Sequence, residues 1–341
     1  MPTDWSGRSV VVTGGAGFVG SFLVEELVDR GADVVVADDL SRGSLDKVDH
    51  LREAIELRPV DLTTREGATR ALEGAEDVFH LAASVGGIHY IQQENVGGLT
   101  PSVLMNQQVL EAARVHGVDR LLFASSACIY RQEHDGLNRF SEEQAFPADP
   151  HSTYGWAKVL GEVACEAYHE DTDLDTAAVR IFNAYGPRES LDPESSHVIP
   201  SLTRKAIEAP KGGSIELFGD GTQQRGFLYV TDLVEGMLRA IDRAADDIAI
   251  NLGNGEEVVT INELAERIVE ISDKDLSVEH DRSKPTGTDR YAADTERMRE
   301  TLDWRPSTSL SEGLERVYEW AESELTQAGT RAVADGGETD E

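Results

Sequence analysis

Four side chains in two short segments of this sequence could move protons. Ser126 and Cys128 lie in SSACIY, directly after a short apolar run, and Tyr154 and Lys158 lie in STYGWAK. Tyr154 and Lys158 are four residues apart, which places them on one face of a helix. A phenol has a pKa of about 10, and a neighbouring ammonium lowers it, so that the pair can take a proton from a hydroxyl group. A thiol, with a pKa of about 8.5, can serve as a second base.

The elements that position these residues are predicted from the alternation of apolar runs and amphipathic segments. This alternation indicates an α/β fold: a doubly wound parallel sheet, or Rossmann domain, with helices on both faces. The predicted strands are 9–13, 33–37, 56–60, 78–83, 121–125 and 177–181, and the helices among them include 18–30 and 102–116.

The pattern becomes irregular after residue 182, where loops rich in glycine, proline and charge separate short strands and helices. We therefore expect residues 1–182 to form the Rossmann domain and 183–328 a smaller mixed α/β domain, partly interleaved with the first. Residues 329–341 are small and acidic, which predicts a disordered tail.

The first predicted strand ends in TGGAGFVG, where Gly14, Gly17 and Gly20 recur at every third position before a helix. In this setting the glycines allow a tight turn, a close approach to a pyrophosphate and close packing of the helix on the strand. The next strand leads into Asp38, whose carboxylate can accept hydrogen bonds from both hydroxyls of an adenosine ribose. The motif predicts a bound dinucleotide and favours NAD over NADP, although Arg42 could accommodate a 2′-phosphate.

The composition excludes several classes of partner. The 341 residues carry a net charge of −33, so nucleic acid and anionic membrane surfaces are poor partners. The acid is spread along the chain and lysine is scarce, which is typical of a protein adapted to molar salt; an ordinary acidic cytoplasmic enzyme is the alternative. Two cysteines and an N-terminus without signal-peptide features indicate a cytoplasmic location, and we expect no metal and no transmembrane helix.

Several motifs together resemble the extended short-chain dehydrogenase/reductases that act on nucleotide sugars. In chain order they are TGGAGFVG, Asp38, VDL, HLAA, SSACIY, YGWAK, RIFNAYGP and RGFLYVTD, within about residues 10–320. The resemblance implies a nucleotide-diphosphate sugar as substrate and a homodimer formed through two helices. It also implies that Ser126, Tyr154 and Lys158 are catalytic, with Tyr154 taking the substrate hydroxyl proton as a hydride moves to NAD.

The same resemblance assigns the binding residues. Those for the cofactor are Gly14, Gly17, Phe18, Val19, Gly20, Asp38, Arg42, Asp61, Leu62, Leu81, Ala82, Ala83, Tyr154 and Lys158. Those for the substrate are Gly86 and Gly87 in the loop VGGI, together with Ser126, Asn183, Arg225 and Arg290.

The position two residues after the catalytic serine favours one reaction within this family. Members that eliminate water have an acidic residue nearby, 4-epimerases commonly have Thr or Ser there, and GDP-mannose 3,5-epimerases and GDP-L-fucose synthases have cysteine, as Cys128 is here. Oxidation at C4 acidifies the C3 and C5 protons, so a base and an acid are needed on the two faces of the sugar. The segment SSHVIPSLTRKA resembles the fucose synthase form and places His197 in the acid role.

The sequence therefore predicts an NAD-dependent nucleotide-sugar epimerase, similar to GDP-mannose 3,5-epimerases, in which C4 is oxidised transiently and Cys128 and His197 move protons at C3 or C5. Three different functions stay open: a 4-epimerase of the UDP-glucose/galactose type, in which Cys128 only packs; an NADPH-dependent 4-keto-sugar epimerase-reductase of the GDP-L-fucose synthase type; and a non-catalytic NAD-binding regulator. The segment KPTGTDR looks like the fucose synthase form, whereas Asp38 argues against NADPH.

Overall fold

The structure is a computed structural model that describes residues 2–84, 95–131, 139–246, 248–284 and 290–335, without the side chains of 95, 290 and 328–335. In these parts of the chain the strands are β1 Ser9–Thr13, β2 Asp33–Asp38, β3 Ile55–Pro59, β4 Asp77–His80, β5 Arg120–Ser126, β6 Asp175–Ile181, β7 Ala184–Tyr185, β8 Ser214–Phe218, β9 Gln224–Gly226, β10 Leu228–Tyr229, β11 Ile248–Leu252, β12 Val258–Thr260, β13 Ser277–Asp281 and β14 Arg290–Tyr291.

The α-helices of the described residues are α1 Phe18–Asp29, α2 Arg65–Ala71, α3 Asn95–His116, α4 Thr153–Asp171, α5 Val198–Glu208, α6 Val230–Ile241, α7 Ile261–Ser272, α8 Glu296–Leu302 and α9 Leu310–Asp335. Among them, none combines the length and apolar character that crossing a membrane requires.

The core is one seven-stranded sheet with the strand order β3-β2-β1-β4-β5-β6-β11. Every neighbouring pair in it is parallel. Parallel sheets are buried on both faces, which is why their strands are apolar throughout; Val10, Val11 and Val12 have no exposed surface. This order confirms the predicted doubly wound Rossmann fold, and the strand order reverses between β1 and β4, which opens a crevice at the carboxyl ends of the strands.

The chain returns to the main sheet after the first six strands. β11 pairs with β6 in parallel, with Ile250 opposite Val179, and both of these side chains are completely buried. Residues beyond 182 therefore complete the Rossmann sheet, and the interleaving of the two predicted domains is extensive. The sequence pattern did not reveal this strand, because IAINL is short and follows an irregular stretch.

The remaining strands form small sheets, in the orders β10-β7, β12-β9-β14 and β13-β8. They surround a second apolar core to which α5, α7 and α9 contribute, for example through Ile199, Leu264 and Leu314. This part of the chain is the smaller mixed α/β unit that the irregular sequence pattern predicts.

Two elements differ from their predicted bounds for identifiable reasons. β4 ends at His80 rather than 83, because the N–H groups of Leu81 and Ala82 turn to the side-chain oxygen of Thr13. α3 begins at 95 rather than 102 and contains Pro101. A proline cannot bond the carbonyl four residues earlier, and here Ser84 Oγ donates to that carbonyl, at position 97.

The last helix also extends further than expected. α9 continues to Asp335, past residue 329 where the disordered tail is predicted to begin. The alanines in RAVAD favour helix formation, which the acidic composition alone does not reveal. The rest of that tail lies outside the described residues, as do Gly86, Gly87 and most of KPTGTDR.

Candidate active site

The glycine-rich turn joins β1 to α1 at the crevice. Gly14 has φ +69°, and a Cβ there would meet the backbone nitrogen of Ala82 at 3.0 Å, so that only glycine fits without strain. A Cβ on Gly20 would overlap the carbonyl oxygen of Gly14. These two positions have the roles expected of a tight turn and of close helix packing.

The N-terminus of α1 is open to a ligand. Gly17 occupies the N-cap position and supplies no side-chain acceptor, so the first amides of the helix, at Phe18 and Val19, lack the usual side-chain cap. Uncapped amides at a helix N-terminus bind phosphate oxygens. The turn therefore fits the pyrophosphate of a dinucleotide.

Asp38 lies at the end of β2, against this turn. Its carboxylate accepts hydrogen bonds from the backbone nitrogens of Ala16, at 3.0 Å, and Leu40, at 2.9 Å. Burial raises the pKa of Asp38, and the two backbone bonds oppose that rise. Arg42 is exposed in the loop that follows. The carboxylate is thus fixed at the position where an adenosine ribose is expected.

Further predicted cofactor residues occupy the same crevice or its edge. Leu81 and Ala82 lie against Gly14 and bond to Thr13, and Ala83 follows them. Asp61 is exposed and bonds to Thr63, whereas Leu62 is only 4% exposed and belongs to the apolar core.

The catalytic side chains predicted from SSACIY and STYGWAK meet between the end of β5 and the start of α4. Ser126 is the last residue of β5, and its hydroxyl oxygen accepts from the Cys128 backbone nitrogen at 3.1 Å. The same hydroxyl acts on the phenol of Tyr154, whose pKa it lowers. Gly155 allows this approach, because a Cβ there would overlap the carbonyl oxygen of Cys128.

Lys158 is buried below Tyr154. Its Nζ donates to the Ala124 carbonyl at 2.6 Å and lies 5.6 Å from the centre of the Tyr154 ring. Burial lowers the pKa of Lys158 to about 8. Burial also raises the pKa of Tyr154, and Ser126 offsets part of that rise. Desolvation dominates the pKa of Tyr154 in this structure, and the predicted lowering of that pKa by Lys158 stays a prediction.

A buried ion-pair network fixes α4 behind these residues. Glu162, one turn after Lys158, accepts from Arg180 Nη2 at 2.8 Å and also from the hydroxyl of Ser125. Arg180 in turn donates to the hydroxyl of Tyr130 at 3.1 Å. Because every partner is paired and hydrogen-bonded, the network orients the helix that carries Tyr154 and Lys158.

The thiol of Cys128 belongs to the same cluster. It interacts with the hydroxyls of Ser126 and Tyr291 and with the charge of Lys158. Burial raises the pKa of Cys128, while these three neighbours act in the opposite direction. Burial therefore disfavours the thiolate of Cys128, and the three neighbours favour it.

His197 lies apart from this cluster, as the N-cap residue of α5. Its Nδ1 is 2.5 Å from Oε1 of Glu189, and its side chain is 62% exposed. The hydrogen bond to Glu189 raises the pKa of His197, and burial opposes this. The structure thus brings together four of the five predicted catalytic residues, and the pairing of His197 with Cys128 stays a prediction.

Three of the predicted substrate residues, Asn183, Arg225 and Arg290, lie on or beside the small sheet formed by β12, β9 and β14. Asn183, at φ +41°, donates from Nδ2 to the carbonyls of Gly226, at 3.0 Å, and Tyr291, at 3.3 Å. Arg225 lies on β9, opposite Tyr291 of the neighbouring strand β14. Arg290 precedes Tyr291, so the backbone brings both predicted arginines to adjacent strands.

Three residues of the site were not predicted from the sequence. Nothing in the sequence around Gly155 indicates a role in the site. The structure shows that this position, next to Tyr154 and against the end of β5, has no room for a side chain. Tyr291 follows KPTGTDR directly but contacts Cys128 only through the fold. Glu189 gives no signal of its own, since the chain contains 64 acidic residues.

A groove of about 620 Å³ lies on another part of the surface. Its lining includes the carboxylates of Glu142 and Asp294 and the guanidinium of Arg297. None of its lining residues belongs to the catalytic cluster. Arg297 is paired with Glu143, so the groove is a charged surface feature and not the site of the predicted chemistry.

A parallel Rossmann sheet with a glycine turn after β1 and a serine, tyrosine and lysine between β5 and α4 defines an extended short-chain dehydrogenase/reductase. The chain belongs to the NAD dependent epimerase/dehydratase family, whose sequence profile matches residues 10–253.

Individual relatives differ in the reaction that their names denote. The chain is 30% identical over 329 residues to GDP-mannose 3,5-epimerase 1 of Oryza sativa subsp. japonica, covering 95% of this chain and 84% of that protein. It is 32% identical over 318 residues to GDP-L-fucose synthase of Sinorhizobium fredii (strain NBRC 101917 / NGR234), covering 92% and 95%. The structure of UDP-glucuronic acid 4-epimerase from Bacillus cereus, in complex with UDP-glucuronic acid and NAD, matches with a TM-score of 0.82 at 26% identity, covering 93% and 100%.

Proposed function

We propose that this protein is an epimerase that holds NAD and inverts a nucleotide-diphosphate sugar at C3 or C5, or both, in the manner of a GDP-mannose 3,5-epimerase. The observation that carries the proposal is the position of Cys128. Its thiol shares one cluster with Ser126, Tyr154 and Lys158, so a carbon next to the oxidised one lies within reach of a second base.

The glycine turn, the uncapped start of α1 and Asp38 would hold the dinucleotide, which when bound accepts the C4 hydride and later returns it. Tyr154 takes the proton of the C4 hydroxyl, and Ser126 holds the same oxygen. Lys158, fixed by the Ala124 carbonyl, stabilises the phenolate form of Tyr154 that accepts this proton.

The C4 ketone acidifies the protons on C3 and C5. Cys128 first gives its thiol proton to solvent and then removes one of them as the thiolate, and protonated His197 delivers a proton to the opposite face of the resulting enolate. The charge of Lys158 favours the thiolate form that this step requires.

Product analysis tests the proposal. The protein is incubated with GDP-mannose, UDP-glucose or UDP-glucuronic acid in turn, and the coupling constants of the sugar protons are followed by NMR. Inversion at C3 or C5 of GDP-mannose supports the proposal. Inversion of a UDP-sugar at C4 alone would replace it with a 4-epimerase, which the likeness to the Bacillus cereus structure favours.

A reductase and a non-catalytic regulator would each leave a separate signature. A reductase of the GDP-L-fucose synthase type would consume added NADPH stoichiometrically with a 4-keto sugar. A regulator would bind NAD and leave every nucleotide sugar unchanged. The intact group of Ser126, Tyr154 and Lys158 counts against a regulator.

We also propose that the protein is a homodimer. Trp156, Leu160 and Val163 form an apolar stripe on one face of α4 and are 42%, 46% and 45% exposed. Leu104, on the adjacent helix α3, is 42% exposed. A second copy that covers this stripe would remove an apolar patch from water.

A charge in the stripe tests the dimer. Leu160→Glu is expected to convert the protein to a monomer in sedimentation velocity, because two buried carboxylates would face each other across the interface. The matched control is Val115→Glu, at a residue 55% exposed on α3. A wild-type protein that sediments as a monomer, or a Leu160→Glu variant that stays dimeric, would refute this arrangement.

The surface charge predicts a requirement for salt. With a net charge of −33, repulsion among carboxylates destabilises the folded chain when salt is low, and the screening length falls from about 10 Å at 0.1 M to about 3 Å at 1 M. We expect the midpoint of thermal unfolding to rise by about 10 °C or more between 0.1 and 2 M KCl. A midpoint that is independent of KCl would indicate an ordinary acidic enzyme.

A further inference from the structure

We propose that Glu189 is a positioning residue for His197. Its carboxylate accepts a hydrogen bond from Nδ1–H and so orients the ring with Nε2–H as the proton donor of the epimerisation. This inference rests on the proposed function, because it assigns His197 the donor role there.

The pairing is a built feature of the fold. The Nδ1–Oε1 distance is 2.5 Å, and the Glu189 side chain is only 6% exposed while that of His197 is 62% exposed. The buried member is thus the carboxylate and the accessible member is the ring. Within the described residues Oε2 of Glu189 has no hydrogen-bond partner, so the carboxylate has His197 as its partner.

The side chain of His197 bonds to Glu189 and does not cap its helix. It is the N-cap residue of α5, yet its side chain makes no capping bond to the helix. A protonated imidazole at a helix N-terminus is unfavourable because of the helix dipole, and a carboxylate on Nδ1 compensates for that cost. Because Glu189 holds Nδ1, Nε2 is the ring nitrogen that can act on a ligand.

The loop that carries Glu189 is itself anchored. Arg188 has φ +66°, its Nη2 is 2.7 Å from Oε2 of Glu25 on α1, and its guanidinium covers the ring of Phe22 at 4.4 Å. Lys47, in the loop after β2, is within electrostatic range of both Arg188 and Glu189. In the part of the chain that the structure describes, the charged groups that act on this pair are Glu189 itself, Arg188 and Lys47, and only the first bonds to His197.

A carboxylate on Nδ1 fixes the tautomer of a histidine and keeps its acid form populated at higher pH. The hydrogen bond to Glu189 raises the pKa of His197, which extends the pH range in which it can donate a proton. Without the charge of Glu189, His197 would lose its proton at a lower pH.

Glu189→Gln in the full chain tests the inference by two readouts. The first is the NMR titration of the His197 ring, assigned with His197→Asn; its midpoint is expected to fall. The second is the pH profile of proton exchange at C3 and C5, whose alkaline midpoint is expected to shift to lower pH by the same amount. At a pH above that midpoint, kcat is expected to be about tenfold lower and KM nearly unchanged. Glu189→Asp is expected to restore part of the midpoint.

Asp175→Asn is the matched control, since Asp175 Oδ1 lies 3.7 Å from Nδ1 of His169 at the start of β6, the end of the strand opposite the crevice, and the change should leave His197 unaltered. A wild-type titration of His197 in Glu189→Gln overturns the inference, whatever the activity. A shifted titration in a protein that exchanges no sugar proton overturns the proposed function instead, and confirms the contact between Glu189 and His197.

Discussion

Cys128→Ser is expected to slow proton exchange at C3 and C5 by about a hundredfold or more, because a serine hydroxyl is far too weak an acid to supply the base. Oxidation at C4 should persist, since Ser126, Tyr154 and Lys158 stay in place. In a single turnover the reduced nicotinamide would therefore appear but no C3 or C5 proton would exchange. Deuterium exchange and nicotinamide absorbance, measured on the same sample, separate the two steps.

Cys165→Ala is the matched control for the loss of a thiol. Cys165 is 2% exposed and packs in the apolar core under α4, away from the crevice. It should lower stability slightly and leave exchange unchanged. Full exchange in Cys128→Ser would remove the central chemical claim and leave Cys128 as a packing residue.

Tyr154→Phe is expected to abolish both steps, with hydride transfer at least about a hundredfold slower, because the phenol is the group that takes the C4 proton. Lys158 and Ser126 would remain without the phenol that they support. The measurement is the rate at which reduced nicotinamide forms in a single turnover. The two variants thus differ: Cys128→Ser stops after oxidation, whereas Tyr154→Phe never begins it.

Tyr168→Phe is the control on the same helix, since its hydroxyl bonds to Glu111 on α3 at 3.2 Å, outside the site. It should retain wild-type hydride transfer. Normal hydride transfer in Tyr154→Phe would show that another residue accepts the proton.

The elements that bear local chemistry were predictable from the sequence. β1 begins and ends where the apolar run does, and Gly14 takes the positive φ that the motif requires. Tyr154 and Lys158 share a helical face because of their spacing alone. In each case the determinant lies within a few residues of the feature.

The parts that were missed depend on contacts between distant segments. β11 joins the sheet because β6 offers an edge, which no property of IAINL indicates. Tyr291 reaches Cys128 because β14 pairs with β9, and Glu189 reaches His197 because Arg188 anchors the loop to α1. Burial likewise raises the pKa of Tyr154, and the degree of burial is set by the tertiary structure.

The most direct test of the proposed chemistry is incubation of the wild-type protein with GDP-mannose in heavy water at high salt, with proton NMR of the sugar. We expect deuterium to enter at C3 or C5, because enolisation next to the C4 ketone exchanges those protons through Cys128. Inversion at C4 without deuterium at either carbon would contradict this chemistry and would identify a 4-epimerase.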